Sequence, residues 1–190
     1  MGLIIGLHGA KGSGKDQFYK AVRNAFPDKD IRKIAYADPI KDAVSHIFDL
    51  SSEEEYDAFK RTDLTYSLTK GYTWDQVSGR QVVREIGMMM RSYDPSQFVR
   101  YVEETIQKAP DAIWCITDVR FDNEFHSIRW VLEGCILKIK RGGIAYDGHA
   151  TEIEFEDSMC DMVIENVDLS LEQYNDLVIE KFKELMEEEL

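Results

Sequence analysis

Cysteine is scarce in this chain, with three cysteines among 190 residues. An odd number without metal-type spacing speaks against both a disulfide framework and a zinc site. Cys115 and Cys135 fall in segments that we predict to be strands, whereas Cys160 does not. All three are expected to be ordinary thiols of the core or its boundary, in a reducing cytoplasm.

Long apolar runs are also missing from the sequence. No stretch approaches the roughly 20 apolar residues that cross a membrane as a helix, and the N-terminus lacks the basic-then-apolar pattern of a secretory signal. We therefore expect a soluble, cytoplasmic protein without a membrane partner.

Positive charge is the third shortage: 23 Lys and Arg face 36 Asp and Glu, and the net charge is −13. Proteins that bind nucleic-acid polymers usually present a basic face, so no nucleic-acid partner is expected. A small anion is still allowed, because a phosphate-binding loop creates a local field that can oppose the global charge. With 44% apolar residues and no internal repeat, residues 1–190 are predicted to form one domain with a substantial core.

Strand-like and helix-like segments alternate along the chain. Residues 112–117 are apolar nearly throughout, as expected of a strand that is covered on both faces. This alternation predicts an α/β fold: a parallel sheet with helices on both faces and ligands at the carboxyl ends of the strands. The predicted strands lie near 2–8, 31–36, 112–117, 134–140 and 161–165, and the predicted helices near 14–26, 39–49, 79–91, 95–108, 122–133 and 170–188.

Two segments do not fit the alternation. Residues 50–78 are polar, and residues 141–158 begin with Arg141-Gly142-Gly143 and end in acids. We predict that both are excursions over the functional site, where substrate-binding segments and lids usually lie.

The most informative motif is glycine-rich and lies directly after the apolar run of residues 3–7. It reads Gly9-Ala10-Lys11-Gly12-Ser13-Gly14-Lys15 and leads into a helix-like segment. A loop between a buried strand and a helix points backbone N–H groups and the helix dipole at an anion. Lys15 would reach the β- and γ-phosphates of a nucleotide. The alternative is a glycine-rich turn that binds nothing, which the strand before the motif and the helix after it disfavour.

Asp16 stands where such loops usually carry a Ser or Thr, whose hydroxyl holds Mg²⁺. A carboxylate is also a hard oxygen ligand, so metal binding is retained, directly or through water. The aspartate adds negative charge beside a triphosphate, and this departure indicates a subfamily.

A second phosphate site is suggested after the second predicted strand. Pro39 suits the first turn of a helix, with Asp38 as its N-cap, and Lys41 lies on that first turn. An ordinary capped helix with a solvated lysine is the alternative.

Three arginines mark the helix predicted near 79–91. Arg80 and Arg84 share a helical face, and Arg91 falls near the same side. Arginines on one face suit an anionic ligand through bidentate contacts. A solvated face with Glu85 as partner is equally compatible with the pattern.

Asp118 ends the most apolar strand, where P-loop proteins place the acid that orients Mg²⁺ or a substrate group. Arg120 lies at the same rim and could meet the phosphoryl group during transfer. Asn123 and Glu124 either contribute to this site or simply begin the next helix.

His149 and Glu152 lie in the second excursion. A histidine beside a carboxylate could act in acid–base catalysis, but phosphoryl transfer needs little of it. We predict that the pair helps a lid to close on the ligand.

With these motifs in this order, the chain resembles the phage-type deoxynucleoside monophosphate kinases of the P-loop NMP kinase superfamily. The matching elements span nearly the whole chain, and the stretch from Asp118 to Glu124 is the most distinctive of them. They comprise Gly9…Gly14-Lys15-Asp16, Ala37-Asp38-Pro39-Ile40-Lys41, Arg80…Gly87…Arg91, Asp118-Val119-Arg120-Phe121-Asp122-Asn123-Glu124 and His149-Ala150-Thr151-Glu152. The chain looks shorter than some members before Arg80, which leaves its base preference open.

The resemblance implies a three-layer fold with five parallel strands, an NMP-binding region (50–78) and a lid (141–158). It also implies transfer of the ATP γ-phosphate to a deoxynucleoside monophosphate with Mg²⁺, in the host-cell cytoplasm if the protein is of phage origin. Residues 9–16 would bind ATP, and Asp16 and Asp118 the metal. The implied catalytic residues are Lys15, Asp118, Arg120 and Arg141, and the implied acceptor-binding residues are Asp38, Lys41, Arg80, Arg84, Arg91, Glu124, His149 and Glu152.

Two other functions stay open on the sequence alone. The first is a P-loop kinase of another phosphorylated metabolite, of the phosphomevalonate or dephospho-coenzyme A type. The second is a regulatory module that binds ATP without transferring phosphate, which the basic residues Lys41, Arg80 and Arg120 disfavour. The oligomeric state is also open, with a homodimer among the alternatives.

Overall fold

The computed structural model describes residues 2–64, 77–144 and 154–188. The chain divides into two compact units, the first formed by residues 1–36 and 99–190 and the second by residues 37–98. This division does not test the prediction that residues 1–190 form one kinase domain, which stays a prediction.

The described residues contain the strands β1 (Ile4–His8), β2 (Ile31–Ile34), β3 (Asp63–Leu64), β4 (Val77–Ser78), β5 (Ile113–Ile116), β6 (Cys135–Arg141) and β7 (Met162–Asn166). Five of them form the parallel sheet of the first unit, in the order β2-β5-β1-β6-β7. The central strand β1 pairs Ile5 with Cys115 of β5 on one side and with Cys135 of β6 on the other. The predicted parallel sheet is therefore confirmed. Strands β3 and β4 form a separate antiparallel pair.

Helices were expected in six places, and the described residues contain a helix in each. The α-helices are α1 (Lys15–Ala25), α2 (Asp38–Ile47), α3 (Glu53–Arg61), α4 (Gly79–Tyr93), α5 (Gln97–Gln107), α6 (Asp122–His126) and α7 (Leu171–Glu188). The segment predicted as one helix over 122–133 is α-helical only to His126 and continues as a π-helix over Ser127–Val131. No helix in the described ranges is long and apolar enough to cross a membrane.

Helices α1 and α7 pack on one face of the sheet and build the main core of the first unit. Phe18 of α1, Phe182 of α7 and Leu137 of β6 are fully buried there, each worth about 1.5–3 kcal/mol. On the opposite face, Gly6 of β1 lies so close to the π-helix that an added Cβ would meet Ile128 Cδ1 at 2.6 Å. Both faces are thus covered, which gives the three layers that were predicted.

Helix α2 begins at Asp38, one residue earlier than predicted. Ala37 is the N-cap, and its carbonyl accepts the N–H of Lys41, so Asp38 is the first helical residue and not the cap. The prediction of Asp38 as N-cap was wrong. Pro39 fits the second helical position because an N–H there has no partner within the helix, and Asp38 places a carboxylate in the first turn.

Helix α3 lies inside the segment predicted as a polar excursion. Ser52 caps it by accepting the N–H of Glu55, and Tyr56 and Phe59 bury one face. Residues 65–76 of the same excursion, and 145–153 of the second, lie outside the described residues.

Candidate active site

The glycine-rich loop joins β1 to α1 at the centre of the sheet, as the sequence predicted. Gly9, Gly12 and Gly14 have φ values of 148°, 81° and 119°, which side-chain-bearing residues rarely adopt. A Cβ on Gly9 would lie 2.4 Å from the carbonyl oxygen of Ile139. The loop therefore needs glycine both for its backbone angles and for its close packing.

Three side chains hold the carbonyl groups of this loop from outside. Asn166 at the end of β7 donates to the Ser13 carbonyl at 2.9 Å, and the Tyr174 hydroxyl on α7 donates to the Gly14 carbonyl at 3.0 Å. Arg141 at the end of β6 donates to the Gly12 carbonyl at 3.0 Å. These bonds from three elements fix the loop's shape without a ligand.

Asn166 and Tyr174 were missed by the sequence reasoning. Asn166 did carry a signal, because it ends a strand of a parallel sheet, where ligands bind. Tyr174 is 2% exposed and is part of the apolar face of α7, so its sequence position indicates only packing. Burial raises the pKa of its phenol, which stays protonated and able to donate.

A buried hydroxyl within the loop fits a polar ligand. Ser13 is 1% exposed, and its Oγ has no hydrogen-bond partner among the described residues. A buried hydroxyl without a hydrogen-bond partner lowers the stability of a folded protein by about 1–3 kcal/mol. Together with the positive-φ glycines, this orphaned hydroxyl is compatible with a phosphate-bearing group in the loop.

Lys15 folds back over the loop. Its Nζ donates to the carbonyl oxygens of Gly9, at 2.5 Å, and Ala10, at 2.9 Å. The ammonium group is half-buried at the first residue of α1, where the helix dipole adds to the positive field. A phosphate in the loop would offer stronger, charged acceptors than these carbonyl groups.

Asp16 is exposed in the first turn of α1 and forms an ion pair with Lys33 of β2, at 3.0 Å between Nζ and Oδ1. Among the described residues, no group of three or more His, Cys, Asp or Glu side chains is arranged to hold a metal ion. The assignment of Asp16 and Asp118 as metal ligands stays a prediction, and their carboxylates are the hard oxygen donors that Mg²⁺ prefers.

A tight loop carries Asp118 and Arg120 at the end of β5. The Asp118 Oδ1 accepts the N–H of Tyr36 at 2.7 Å, which ties this loop to the residues after β2. The Glu124 Oε2 accepts the N–H groups of Arg120, at 2.8 Å, and Phe121, at 3.1 Å. Glu124 is 0% exposed and lies in the first turn of α6, so its carboxylate holds the loop that presents Arg120. A contact between Glu124 and substrate stays a prediction.

His8 lies immediately before the glycine-rich loop and is 1% exposed. Its Nε2 accepts the N–H of Phe155 at 3.2 Å, so Nδ1 carries the proton that it donates to the Val119 carbonyl at 3.0 Å. Burial lowers the pKa of His8 to about 4, and the nearby ammonium of Lys138 adds to this effect. The imidazole is therefore neutral at physiological pH and links β1 to two neighbouring segments.

Lys138 of β6 is a buried cation beside His8. Its Nζ donates to the Phe155 carbonyl at 2.5 Å and forms ion pairs with Glu154, at 3.1 Å, and Asp157, at 3.0 Å. Burial lowers the pKa of Lys138, but the bonds to the two carboxylates outweigh it and raise the pKa overall. This cluster fastens residues 154–157 to the sheet.

A cavity of about 450 Å³ opens between the glycine-rich loop and the carboxyl ends of β6 and β7. It lies within the first unit, and its wall includes Ala10 of the loop and Arg141. Its other lining residues are Lys138, Ile139, Lys140, Gly142, Ile144, Glu154, Glu165 and Val167. The cavity has a size suited to a small organic ligand.

The residues predicted to bind an acceptor fall mostly in the second unit, namely Asp38, Lys41, Arg80, Arg84 and Arg91. Within that unit α4 packs against both α2 and α3. Lys41 pairs with Glu53 at 3.2 Å, and the Arg91 guanidinium stacks 4.5 Å above the ring of Phe98. His149 and Glu152, also predicted for this role, lie outside the described residues.

Comparison with known proteins finds a relative that matches nearly the whole chain. A protein of Acanthamoeba polyphaga mimivirus named "Putative deoxynucleotide monophosphate kinase" is 30% identical over 193 residues, which covers 93% of this chain and 94% of that protein. No protein-family model matches the chain.

Among solved structures, dephospho-CoA kinase from Campylobacter jejuni matches with a TM-score of 0.56 and 14% identity, over 100% of both chains. At this identity the likeness concerns the fold alone. Shikimate kinase from Bacteroides thetaiotaomicron matches with a TM-score of 0.44 and 13% identity, over 97% of this chain and 98% of that one.

Proposed function

The chain belongs to the deoxynucleotide monophosphate kinase family, and we propose that it transfers the γ-phosphoryl group of ATP to a deoxynucleoside monophosphate. It has the three-layer fold of P-loop kinases, as the sequence predicted. The observation that carries the proposal is the glycine-rich loop, already shaped around an orphaned hydroxyl with Lys15 folded over it. The products would be ADP and the deoxynucleoside diphosphate.

On this proposal the donor nucleotide binds in the first unit. Residues 9–16 enclose its phosphates, and the Lys15 ammonium moves from the carbonyl groups of Gly9 and Ala10 to the phosphate oxygens. The cavity beside Ala10 and Arg141 accommodates the nucleoside portion. Asp16 and Asp118 would hold Mg²⁺, directly or through water, and the ion would neutralise charge on the phosphate oxygens.

Transfer itself needs positioning and positive charge more than acid–base chemistry. An oxygen of the acceptor monophosphate forms the new bond to the γ-phosphorus, and the bond to the bridging oxygen of ADP breaks, leaving its electron pair on ADP. Arg120, held by the buried Glu124, and Arg141 compensate charge on the transferred group. Loss of an arginine in such a role costs on the order of 10³-fold in rate.

The acceptor monophosphate is assigned to the second unit. Lys41, Arg80, Arg84 and Arg91 supply positive charge there, in a chain whose net charge is −13. Four basic side chains on two helices can offset the charge of an anionic substrate locally, although the chain as a whole is acidic. The proposed acceptor set is completed by Asp38, Glu124, His149 and Glu152.

The proposal is tested by ADP release from Mg-ATP across the common ribo- and deoxynucleoside monophosphates. We expect acceptor-dependent release with at least one deoxynucleotide. Lys15→Ala should lower this turnover by at least about 10²-fold, because a preorganised charge at the transferred group is lost. The matched control is Lys20→Ala, which removes an exposed lysine from the same helix.

Circular dichroism of both variants should match the wild type, since neither lysine is part of the apolar core. Near-normal turnover in Lys15→Ala would overturn the assignment of the loop. ATP binding without turnover on any monophosphate would favour the regulatory module. Dephospho-coenzyme A and phosphomevalonate are assayed in the same way, and turnover only with one of them would identify a kinase of another metabolite.

A further inference from the structure

The aspartate that replaces the usual Ser or Thr after the loop lysine has a defined partner. Lys33 Nζ lies 3.0 Å from Asp16 Oδ1, and the two residues belong to β2 and α1 of the same unit. Lys33 sits at the edge of the sheet, in register with Cys115 of β5. The side chain of Asp16 is 70% exposed and that of Lys33 32% exposed.

The charge of Asp16 is unfavourable for the ligand that the loop is proposed to bind. A carboxylate beside a triphosphate adds repulsion, whereas the hydroxyl found in most such loops does not. The helix dipole favours an acid at this position and offsets only part of that repulsion. A second positive charge close to the carboxylate reduces the repulsion further.

We propose that Lys33 is a positioning residue for Asp16. Its ammonium group holds the carboxylate at the start of α1 and compensates its charge, so that an aspartate can stand in the loop without repelling the donor phosphates. The inference rests on the proposed function, because it assumes that the loop binds ATP. It explains how this chain tolerates the exchange of a hydroxyl for an acid.

The ion pair is not expected to stabilise the fold. Exposed pairs contribute little to the free energy of unfolding, because water and salt screen them. A substitution at Lys33 should therefore leave the melting temperature nearly unchanged and act on ligand binding. Weaker ligand binding at an unchanged melting temperature distinguishes a positioning role of Lys33 from a structural one.

The experiment measures the dissociation constant of metal-free ATP by calorimetry in EDTA, so that metal ligation by Asp16 does not enter. Lys33→Met should raise the constant about threefold, and Lys33→Arg, which keeps the charge, should restore binding to near the wild-type value. Lys20→Met is the matched control, since it removes an exposed lysine of α1 that has no ion pair with Asp16 among the described contacts.

The decisive variant combines Lys33→Met with Asp16→Ser. If Lys33 acts through Asp16, removal of the uncompensated carboxylate should return affinity to within about 1.5-fold of the wild type. A double variant as weak as Lys33→Met, or an unchanged constant in Lys33→Met itself, would overturn the inference. A wild-type protein that does not bind ATP would instead overturn the proposed function, so the two failures are distinguishable.

Discussion

His8 is a titratable group that the fold holds in its neutral form. Its Nε2 accepts a backbone N–H from Phe155 and its Nδ1 donates to the Val119 carbonyl. Protonation would place an N–H of the ring against the N–H of Phe155 and leave a charge that water cannot reach. The imidazole therefore connects the start of the glycine-rich loop to its neighbours only while it is uncharged.

We predict that stability falls as the pH is lowered from about 6.5 to about 4. Above pH 6.5 the histidine is neutral in both the folded and the unfolded chain, and the full stability is present. Below it the unfolded chain binds a proton while the folded chain, with its pKa lowered to about 4, does not. This difference corresponds to a loss of about 3 kcal/mol at the acid end of the window.

Urea unfolding at several pH values checks this prediction. Titrating carboxylates also contribute to the slope, so the informative comparison is between variants. His8→Gln should be less stable at neutral pH but should show a shallower loss between pH 6.5 and 4. His126→Gln, which removes an exposed histidine, should keep the wild-type slope; equal slopes in all three proteins would contradict the prediction.

Among individual residues, the sequence predicted the positions of those in the glycine-rich loop and in the loop after β5. It predicted less well the side chains that hold these loops. The glycines, Lys15, Asp118 and Arg120 follow from local spacing, because strand ends and helix starts place them. The buried carboxylate of Glu124 bonds two N–H groups only a few residues away, yet its sequence position is equally compatible with contact to a substrate. Asn166 bonds Ser13 across 153 residues, and no local pattern encodes such a contact.

Helices α3 and α4 approach each other at Gly79, the first residue of α4. A Cβ there would lie 2.1 Å from the carbonyl oxygen of Phe59, and the Gly79 N–H donates to the Thr62 carbonyl. The neighbour is backbone, so the helices must separate to admit a methyl group. At Gly87 an added Cβ would instead meet the flexible end of Ile40, at 2.9 Å.

Gly79→Ala should therefore destabilise the protein by about 1–3 kcal/mol, because overpacking forces a backbone shift. Gly87→Ala serves as its control in the same helix. There the gain of about 1 kcal/mol in helix propensity offsets the rotamer change of Ile40, and the net effect should lie within about 0.5 kcal/mol. Chemical unfolding of both variants measures the difference, and equal effects would show that the approach at Gly79 can relax.

The elements were predicted well where periodicity and capping agreed. Helix α3 was missed although its signals are present: Ser52 as cap, acids in the first turn, and Lys60 and Arg61 in the last. The prediction of an excursion over residues 50–78 followed the polar composition of this segment and not these helix signals. No comparable local signal predicts the π-helix over Ser127–Val131. Ile128 packs closely against Gly6 of β1, so contact with the sheet contributes to the shape of this segment.

For the whole molecule, the alternation of strand-like and helix-like segments predicted the class of fold, and the composition gives a net negative charge. The parallel order of the sheet follows from alternating strands and helices, and the central position of β1 places the loop between two neighbouring strands. Acidic residues occur throughout the sequence, whereas the side chains proposed to bind phosphate are basic and lie in a few segments. A net charge of −13 therefore bears on stability and on partners more than on the site itself.

Mutual repulsion of the acids predicts a salt dependence of stability. Raising sodium chloride from about 10 mM to 200 mM shortens the Debye length from about 30 Å to below 10 Å and screens this repulsion. Attractive surface pairs such as Arg32–Asp30 are screened as well, but each is worth little. We expect the melting temperature to rise by about 2–4 °C, which corresponds to about 1 kcal/mol for a chain of this length.

Neutralising exposed acids should reduce this response. Glu104→Gln combined with Glu187→Gln changes the net charge from −13 to −11, and both side chains are exposed. Repulsion grows with the square of the net charge, so the double variant should be more stable in low salt and gain less from added salt. Tetramethylammonium chloride in place of sodium chloride separates screening from specific cation binding. A melting temperature that falls with salt would mean that attractive pairs outweigh the repulsion, and it would contradict this prediction.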